Sequence, residues 1–391
     1  MIIESIKLKD FRNYEEMRVN PHPGVNIFFG QNGSGKTNLL EAVHYCALGR
    51  SHRTSIDREV VRKGMAMGAC GVQVRRKDGR VDVAVKLTPG ESRKKQVFID
   101  RKRAQRLSDL MGRLQCVIFS PEDLMLVKEG PAVRRRFLDM LLSQLSTGYF
   151  LALQQYHKAL EQRNAILRDI KRGGKCESGM LDAVEDAMSI PCETLIPMRR
   201  RVLLELAEYA GKKYCAISGR EHESFGMRYV ACMQDDVGIA ERVRQELRRG
   251  RHEDTLRGTT GFGVHREDIA LTLSGRDMKL FASQGQIRTA ALSMKLAQME
   301  VFRRETGETP VLLLDDVMSE LDMTRRTSLL REMNGVQTFI TCTDESDLEG
   351  CREKRSYQVF LGEQGNAGVR EISCGEGVPQ PPAFMEDPEL Q

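Results

Sequence analysis

The octapeptide Gly30-Gln31-Asn32-Gly33-Ser34-Gly35-Lys36-Thr37 matches the pattern GxxxxGK[ST] in full, and no other stretch constrains the fold of this chain as much. An apolar run, Val25 to Phe29, precedes it, and an amphipathic run, Asn38 to Leu48, follows it. The loop is therefore predicted where a strand turns into a helix. Gly30, Gly33 and Gly35 let the backbone curl so that successive N–H groups point at one anion, and the following helix turns its positive end towards it. Lys36 adds a mobile cation, and the Thr37 hydroxyl is placed to ligate Mg2+. Leu39, Leu40, Val43 and Ala47 mark one helical face that should pack on a sheet.

At 391 residues the chain has room for two or three domains, or for one domain with insertions. No run approaches the ~18 consecutive apolar residues of a membrane span. Met1-Ile2-Ile3-Glu4 alternates like a strand and does not resemble a signal peptide, so a cytoplasmic address is expected. The 10 cysteines never form CxxC and mostly lie in apolar contexts, which predicts buried free thiols in a reducing compartment. A net charge of +5 is too mild to establish a nucleic-acid partner. Its distribution says more: Arg75-Arg76-Lys77, Arg93-Lys94-Lys95, Arg101-Lys102-Arg103, Arg134-Arg135-Arg136, Arg199-Arg200-Arg201 and Arg248-Arg249 are short basic clusters. One such cluster reads as a solvated face; together they suggest a polyanion. Tryptophan is absent and aromatics are few, which argues against a stacking platform for single strands.

In chain order, Ile2 to Leu8 and Val25 to Phe29 read as strands joined through Asp10 to Tyr14 and a Pro21/Pro23/Gly24 turn. From Gly71 to Asp100 the period is two, which predicts an antiparallel subsheet with hairpin connections. Cys116 to Phe119 is a short buried strand. From there to about residue 250 the pattern is helical, with breaks expected at Gly173-Gly174 and around Pro191 and Pro197. No heptad pattern persists, so no long coiled coil is expected. Ile269 to Leu273, Val311 to Leu314 and Thr338 to Thr341 read as strands. Ile287 to Arg304 reads as a helix, and Tyr357 to Leu361 with Gly368 to Ile372 as a hairpin. The expected organisation is an ATPase lobe from residues 1–118 and 256–374, a helical lobe over 119–255, and a disordered tail over 375–391.

The second decisive stretch is Val311-Leu312-Leu313-Leu314-Asp315-Asp316. Four apolar residues predict a buried strand that delivers Asp315 to a Mg2+ ion beside the phosphate loop, with Asp316 placed to orient or deprotonate an attacking water. Ser283-Gln284-Gly285-Gln286 lies before the predicted helix at Ile287, and Ser319-Glu320-Leu321-Asp322 follows the paired aspartates. This order resembles the layout of ABC-type ATPase heads, in which the serine-glycine motif contacts the γ-phosphate held by the other subunit. About 280 residues separate Lys36 from Asp315, more than a transporter head spans. The insertion of about 140 residues carries neither coiled coil nor CxxC hook, which sets the chain apart from long-armed relatives.

Several motifs resemble one family in detail, the bacterial RecF recombination mediators. They are Leu8-x-x-Phe11-Arg12-Asn13-Tyr14, Gly30 to Glu41, Ser51-His52-Arg53-Thr54, Phe119 to Leu124, Gly130-Pro131 with Arg134 to Asp139, Gly263 to Asp268, Ser283 to Gln286, and Leu312 to Asp322. The likeness covers nearly the whole chain apart from the tail. It implies an α/β fold: an ABC-type P-loop ATPase head with a mixed sheet and an antiparallel subsheet, plus a mainly helical second lobe. It also implies a slow, DNA-stimulated ATPase that uses ATP and Mg2+ and forms an ATP-dependent homodimer. Such a protein binds duplex DNA with a gap or single-strand junction and works at the nucleoid with RecO and RecR to load recombinase.

Mapped onto this sequence, the resemblance places Lys36, Asp315, Asp316 and Ser283 in catalysis. Gly30, Gln31, Asn32, Gly33, Ser34, Gly35, Lys36, Thr37, Asn38, Arg12, Asn13, Gly285 and Gln286 fall to nucleotide binding, and Thr37 and Asp315 to the metal. Among the basic clusters, Arg134, Arg135, Arg199 and Arg200 are the expected DNA contacts, with interlobe salt bridges as the alternative. Asp316 stands where transporter heads have glutamate, which fits slow turnover. No histidine follows Thr338 to Thr341, so the switch residue of transporter heads is either missing or replaced by one within Thr341 to Asp344. His265 and Arg266 are given no catalytic role. A transport-like or motor ATPase subunit is the alternative function.

Overall fold

Alternation of apolar and polar residues from Gly68 to Ile99 builds, in the computed structural model, the centre of a six-stranded antiparallel sheet. The structure describes residues 1–90, 95–174, 179–220, 222–344, 354–362 and 365–372. The strand order in this sheet is Tyr14–Val19, Ile2–Phe11, Gly68–Arg76, Gly79–Leu87, Lys95–Ile99 and Lys102–Arg103. Its register sets Ile6 opposite Val72 and Val72 opposite Val83, and Leu8 opposite Cys70 and Cys70 opposite Val85. One face is therefore continuous apolar core, because residues directly opposite share a side of the pleat. The strand Tyr14–Val19 was not anticipated. Only Tyr14, Met17 and Val19 are buried there, and the exposed Glu15, Glu16 and Arg18 mask the alternation.

A second six-stranded sheet carries the phosphate loop. Its order is Ala367–Ile372, Lys354–Leu361, Val25–Phe29, Thr338–Cys342, Val311–Asp315 and Cys116–Phe119. All its pairs are parallel except the outer hairpin, which forms as expected. Val311–Asp315 and Cys116–Phe119 are buried at every position, as parallel strands covered on both faces must be. The helix Lys36–Leu48 touches strands of both sheets. It is consequently buried almost all round, including Glu41 and His44, where the sequence predicts a single apolar face.

These two sheets belong to one compact unit, Met1–Glu122 with Phe302–Gln391; a second unit spans Asp123–Val301. The second is mainly helical, with long helices Pro131–Leu145, Thr147–Lys171 and Cys192–Ser218. Residues 256–301, expected in the ATPase lobe, fall in this unit. The reason is a strand pairing: Asp268–Leu273 runs antiparallel to Phe225–Val230, a strand that the helical pattern of its surroundings concealed. Pro197 does not break its helix but lies inside Cys192–Ser218. Among the described residues no helix exceeds 27 residues, and no long coiled coil forms.

Seven described cysteines form no disulfide. Cys46, Cys70, Cys116, Cys192 and Cys342 are buried, while Cys215 and Cys232 are half-buried. Cys176, Cys351, Cys374 and the tail lie outside the described residues. Among the described residues no helix is long and apolar enough to cross a membrane.

Candidate nucleotide-binding site

The loop that follows Val25–Phe29 takes backbone conformations that side chains resist. Gly30 has φ 150° and Gly35 φ 115°. A Cβ on Gly30 would lie 2.1 Å from the Val359 carbonyl oxygen, and one on Gly35 would lie 2.8 Å from Asn13 Oδ1. Both positions thus need glycine for conformation and for space. The loop is braced from the turn of the first hairpin: Asn13 Nδ2 donates to the Ser34 carbonyl at 3.2 Å and Tyr14 Oη to the Gly35 carbonyl at 3.1 Å. Asn38 Nδ2 donates in turn to Asn13 Oδ1 at 2.8 Å. Asn13 therefore sits against the loop.

Lys36 folds back over the loop, donating to the carbonyls of Gly30 at 2.7 Å and Gln31 at 3.0 Å. Burial lowers its pKa, opposed by the charges of Asp316, Cys342 and Asp315. An ammonium held on backbone carbonyls is poised to exchange them for an anion's oxygens.

Asp315 arrives from a different part of the chain. Its strand pairs with Thr338–Cys342, which pairs with Val25–Phe29, so one strand separates the aspartate from the loop strand. Asp315 is 6% exposed, and its Oδ1 accepts from Thr37 Oγ1 at 2.8 Å and from Thr341 Oγ1 at 2.7 Å. Burial raises the carboxyl pKa, and these two bonds oppose the rise. A hydroxyl paired with a buried carboxylate is the donor set of a hard cation, so the residues fit Mg2+. Among the described residues no group of three or more His, Cys, Asp or Glu could hold a metal alone. The remaining ligands would have to be phosphate oxygens and water.

Asp316 has φ 52°, left-handed for a non-glycine residue, and its N–H donates to Thr341 Oγ1 at 2.9 Å. That conformation is costly and persists only where the surroundings impose it. Thr341 thus fixes both aspartates. The sequence marks Thr341 only as the first residue of the stretch that could hold a switch residue; its hydroxyl at the end of a parallel strand is the available signal.

On the other side of the hairpin turn, a cleft of about 570 Å3 is lined by Arg12, Asn13, Asn38, Arg53, Arg58 and Lys63, among others. Four cations in one small cleft suit a polyanion. Only Arg12, Asn13 and Asn38 of these were expected.

In the second unit Ser283 opens the helix Gln284–Thr306. Ser283 N–H donates to Gln286 Oε1 at 2.8 Å, and Gln286 N–H donates to Ser283 Oγ at 3.3 Å, a reciprocal cap. Ser283 and Gln284 are exposed, and Gly285 sits in the first turn.

The expected DNA contacts require correction. Arg199 is 2% exposed, bonded to Asp139, Glu267, the Tyr149 hydroxyl and the Val264 carbonyl. Arg134 is buried in a bidentate pair with Asp268. Arg135 donates to the Glu267 carbonyl, and Arg200 to Asp236 and the Met233 carbonyl. Arg134 and Arg199 are therefore part of the internal charge network of the helical unit and not DNA contacts, whereas Arg135 and Arg200 are half-buried. A basic run in sequence does not reveal that its acidic partners stand far along the chain, Asp268 on a strand and Glu267 just before it. His265 is part of the same interior: Tyr156 Oη lies 2.7 Å from its Nδ1 and the Thr260 carbonyl 3.1 Å from its Nε2. Burial lowers its pKa to about 4.

Residues 2–367 match the family model described as the RecF/RecN/SMC N-terminal domain. The DNA replication and repair protein RecF of Lactobacillus johnsonii is 38% identical over 371 residues, covering 93% of this chain and 98% of that protein. A solved structure of the recombination mediator protein RecF-ATP in the RecFOR pathway matches with a TM-score of 0.85 and 32% identity, over 95% of this chain and 98% of that one. The Smc head domain of Pyrococcus furiosus, with a TM-score of 0.55 and 14% identity over 95% of this chain and 96% of its own, shares the fold. With an ABC-type head built around this loop and matches of such length, the chain belongs to the RecF family of DNA replication and repair proteins.

Proposed function

We propose that this chain is an ATP-dependent DNA-binding protein of recombinational repair, in which two heads close around ATP and slow hydrolysis releases them. The observation that carries the reading is the Thr37–Asp315–Thr341 cluster beside the glycine loop. It offers a cation half-site next to a ring of N–H donors, with a second carboxylate, Asp316, held one residue on. The RecF relative whose structure is described with ATP supports the choice of nucleotide.

The N–H groups from Gly30 to Thr37 bind the β- and γ-phosphates, Lys36 moves from its carbonyls to the phosphate oxygens, and Arg12, Asn13 and Asn38 border the nucleotide. Thr37 and Asp315 would hold Mg2+, which when bound neutralises phosphate charge as a Lewis acid. Asp316 orients the attacking water and accepts its proton. The hydroxyl of Ser283 and the N–H of Gly285, with Gln286 supporting them, reach the γ-phosphate held by a second copy. DNA with a gap or strand junction is the preferred partner. The RecFOR context of the relative makes RecO and RecR the expected co-workers in loading recombinase.

Light scattering with ATP tests the shared site. Lys36→Ala loses nucleotide binding and dimers together, whereas Ser283→Arg binds ATP and stays monomeric. Dimers of Ser283→Arg would overturn the arrangement. Binding of gapped and blunt duplexes with ATP, ADP and no nucleotide, at two salt concentrations, tests the DNA reading. A log–log slope of about −0.9 per phosphate neutralised is expected, and a flat response would refute it.

A further inference from the structure

Glu41 is the one charged side chain of the loop helix buried to 0% exposure without a place in the phosphate-binding pattern. Its carboxylate takes donors from three directions. Arg12 Nη2 donates to Oε1 at 2.6 Å and Arg12 Nε to Oε2 at 2.8 Å. The Ser51 hydroxyl donates to Oε1, and Arg53 Nη1 approaches Oε2 at 3.5 Å. Burial opposes ionisation of Glu41, yet the bonds from Arg12 and Ser51 outweigh it, so its pKa is lowered and the group is a carboxylate.

Arg12 and Arg53 line the cationic cleft, and Ser51 shapes the segment that carries Arg53. Arg12 sits in the turn of the first hairpin at φ 55°, and its Nη1 also donates to the Glu59 carbonyl at 2.7 Å. Ser51 Oγ accepts the N–H groups of Arg53 at 2.9 Å and Thr54 at 3.1 Å, shaping the segment that carries Arg53. Arg53 Nη1 donates to Asn38 Oδ1 at 3.0 Å, on the loop helix itself. One carboxylate therefore ties the hairpin turn, the loop helix and the Ser51–Thr54 segment together. A fork-shaped guanidinium gripped along one edge by a buried carboxylate, with its Nη1 on the Glu59 carbonyl, loses its rotational freedom before any ligand arrives.

We propose that Glu41 is a positioning residue for nucleotide binding: it fixes the guanidinium of Arg12 and the segment bearing Arg53 as the preset cationic wall of the cleft beside the phosphate loop. The proposal rests on the nucleotide reading above. Glu41 touches no nucleotide itself; it acts through Arg12, Ser51 and Arg53, so its loss weakens nucleotide affinity and leaves turnover of bound nucleotide nearly unchanged.

The test is ATP affinity by calorimetry for the full chain and for Glu41→Gln, Arg12→Ala and the double variant. Glu41→Gln raises Kd about tenfold, the scale of losing a charge-assisted bond, and raises KM with kcat within about twofold. Once Arg12 is gone, Glu41→Gln has little further effect. Glu308→Gln removes another buried carboxylate of the same unit, one paired with the N-terminus and Arg76, and leaves Kd unchanged. Should Glu41→Gln fail to fold, Ser51→Ala takes its place, with a two- to threefold rise in Kd expected. Wild-type affinity in the folded Glu41→Gln or Ser51→Ala protein, or additive effects in the double variant, overturns the positioning role alone. If the unmodified chain binds no ATP, it is the nucleotide reading that fails.

Discussion

Thr341→Val isolates the hydroxyl that stands between the two aspartates. Valine keeps the volume and branching of threonine, so the perturbation is the loss of two hydrogen bonds without a cavity. One runs from Thr341 Oγ1 to Asp315 Oδ1 at 2.7 Å, and the other from the Asp316 N–H to Thr341 Oγ1 at 2.9 Å. Losing a bond to an ionised acceptor costs about 1.5–3 kcal/mol, and stranding a buried N–H about 1–3 kcal/mol. The extra methyl returns at most ~0.8 kcal/mol. The net loss of about 2–5 kcal/mol lowers Tm by at least ~4 °C for a unit of this size. Thr341→Ser, which keeps the hydroxyl, melts close to the unmodified protein.

The penalty also has a pH signature. Burial already holds the Asp315 pKa above its ordinary value, and Thr341 is one of the two bonds resisting that rise. Removing it pushes the carboxyl up further. The ionised form is then a cost above the folded pKa, relieved as protonation proceeds, so the Tm gap between Thr341→Val and wild type narrows as pH falls. Because Asp315 must be ionised to ligate a cation, the acid limb of Mg-ATP binding moves to higher pH. A Thr341→Val protein melting within ~2 °C of wild type at neutral pH, with an unmoved acid limb, would refute this account of the site.

Asp316→Asn retains the side-chain shape while losing the proton acceptor; ATP binding and dimers persist and turnover drops by about 10²–10⁴-fold, so fast hydrolysis in that variant removes Asp316 as the base. Arg199→Ala strands Asp139 and Glu267 in the interior and destabilises the helical unit by about 3–5 kcal/mol in chemical denaturation; unchanged stability with a selective loss of DNA affinity would restore it as a phosphate contact. His265 is buried neutral with its pKa lowered to about 4, so the stability it lends is present above its unfolded pKa and lost as pH falls from about 6.5 towards 4. At ~1.4 kcal/mol per pH unit this amounts to about 3 kcal/mol, and His265→Gln flattens that slope; identical urea midpoints for both proteins across the range would exclude the histidine as its source.

The parts of the site legible in the sequence are those in which function is written into a local backbone path. The glycines of the loop are there because a Cβ on Gly30 or Gly35 would strike a neighbour. The apolar block before Asp315 announces a buried strand whatever lies beside it. The cap at Ser283 needs only residues three apart. The strand Tyr14–Val19 failed the same kind of reading because charge on its exposed positions outvoted three buried ones. Phe225–Val230 failed because it finds its partner, Asp268–Leu273, some forty residues later. The arginines of the helical unit were misread for a related reason. Arg199 is buried against Asp139, on another helix 60 positions away, and against Glu267, beside a strand 68 positions away.

This division follows from how the site is assembled. Thr37 and Asp315 lie 278 positions apart yet share a hydrogen bond, because the strand ending at Cys342 is inserted between their two strands. That insertion brings Thr341 level with Asp315. Parallel pairing aligns the carboxyl ends of all three strands, so whichever polar residues stand there must meet. The motifs announced two of the three strand ends, and the topology supplied the third. Glu41 came within reach for the same reason: a helix packed between two sheets has no solvent face to offer a carboxylate, which must then find cations, and the hairpin turn delivers Arg12 to it. Burial of a charge on a loop helix is thus evidence of what stands opposite, and here Arg12, which stands opposite, lines the cationic cleft beside the phosphate loop.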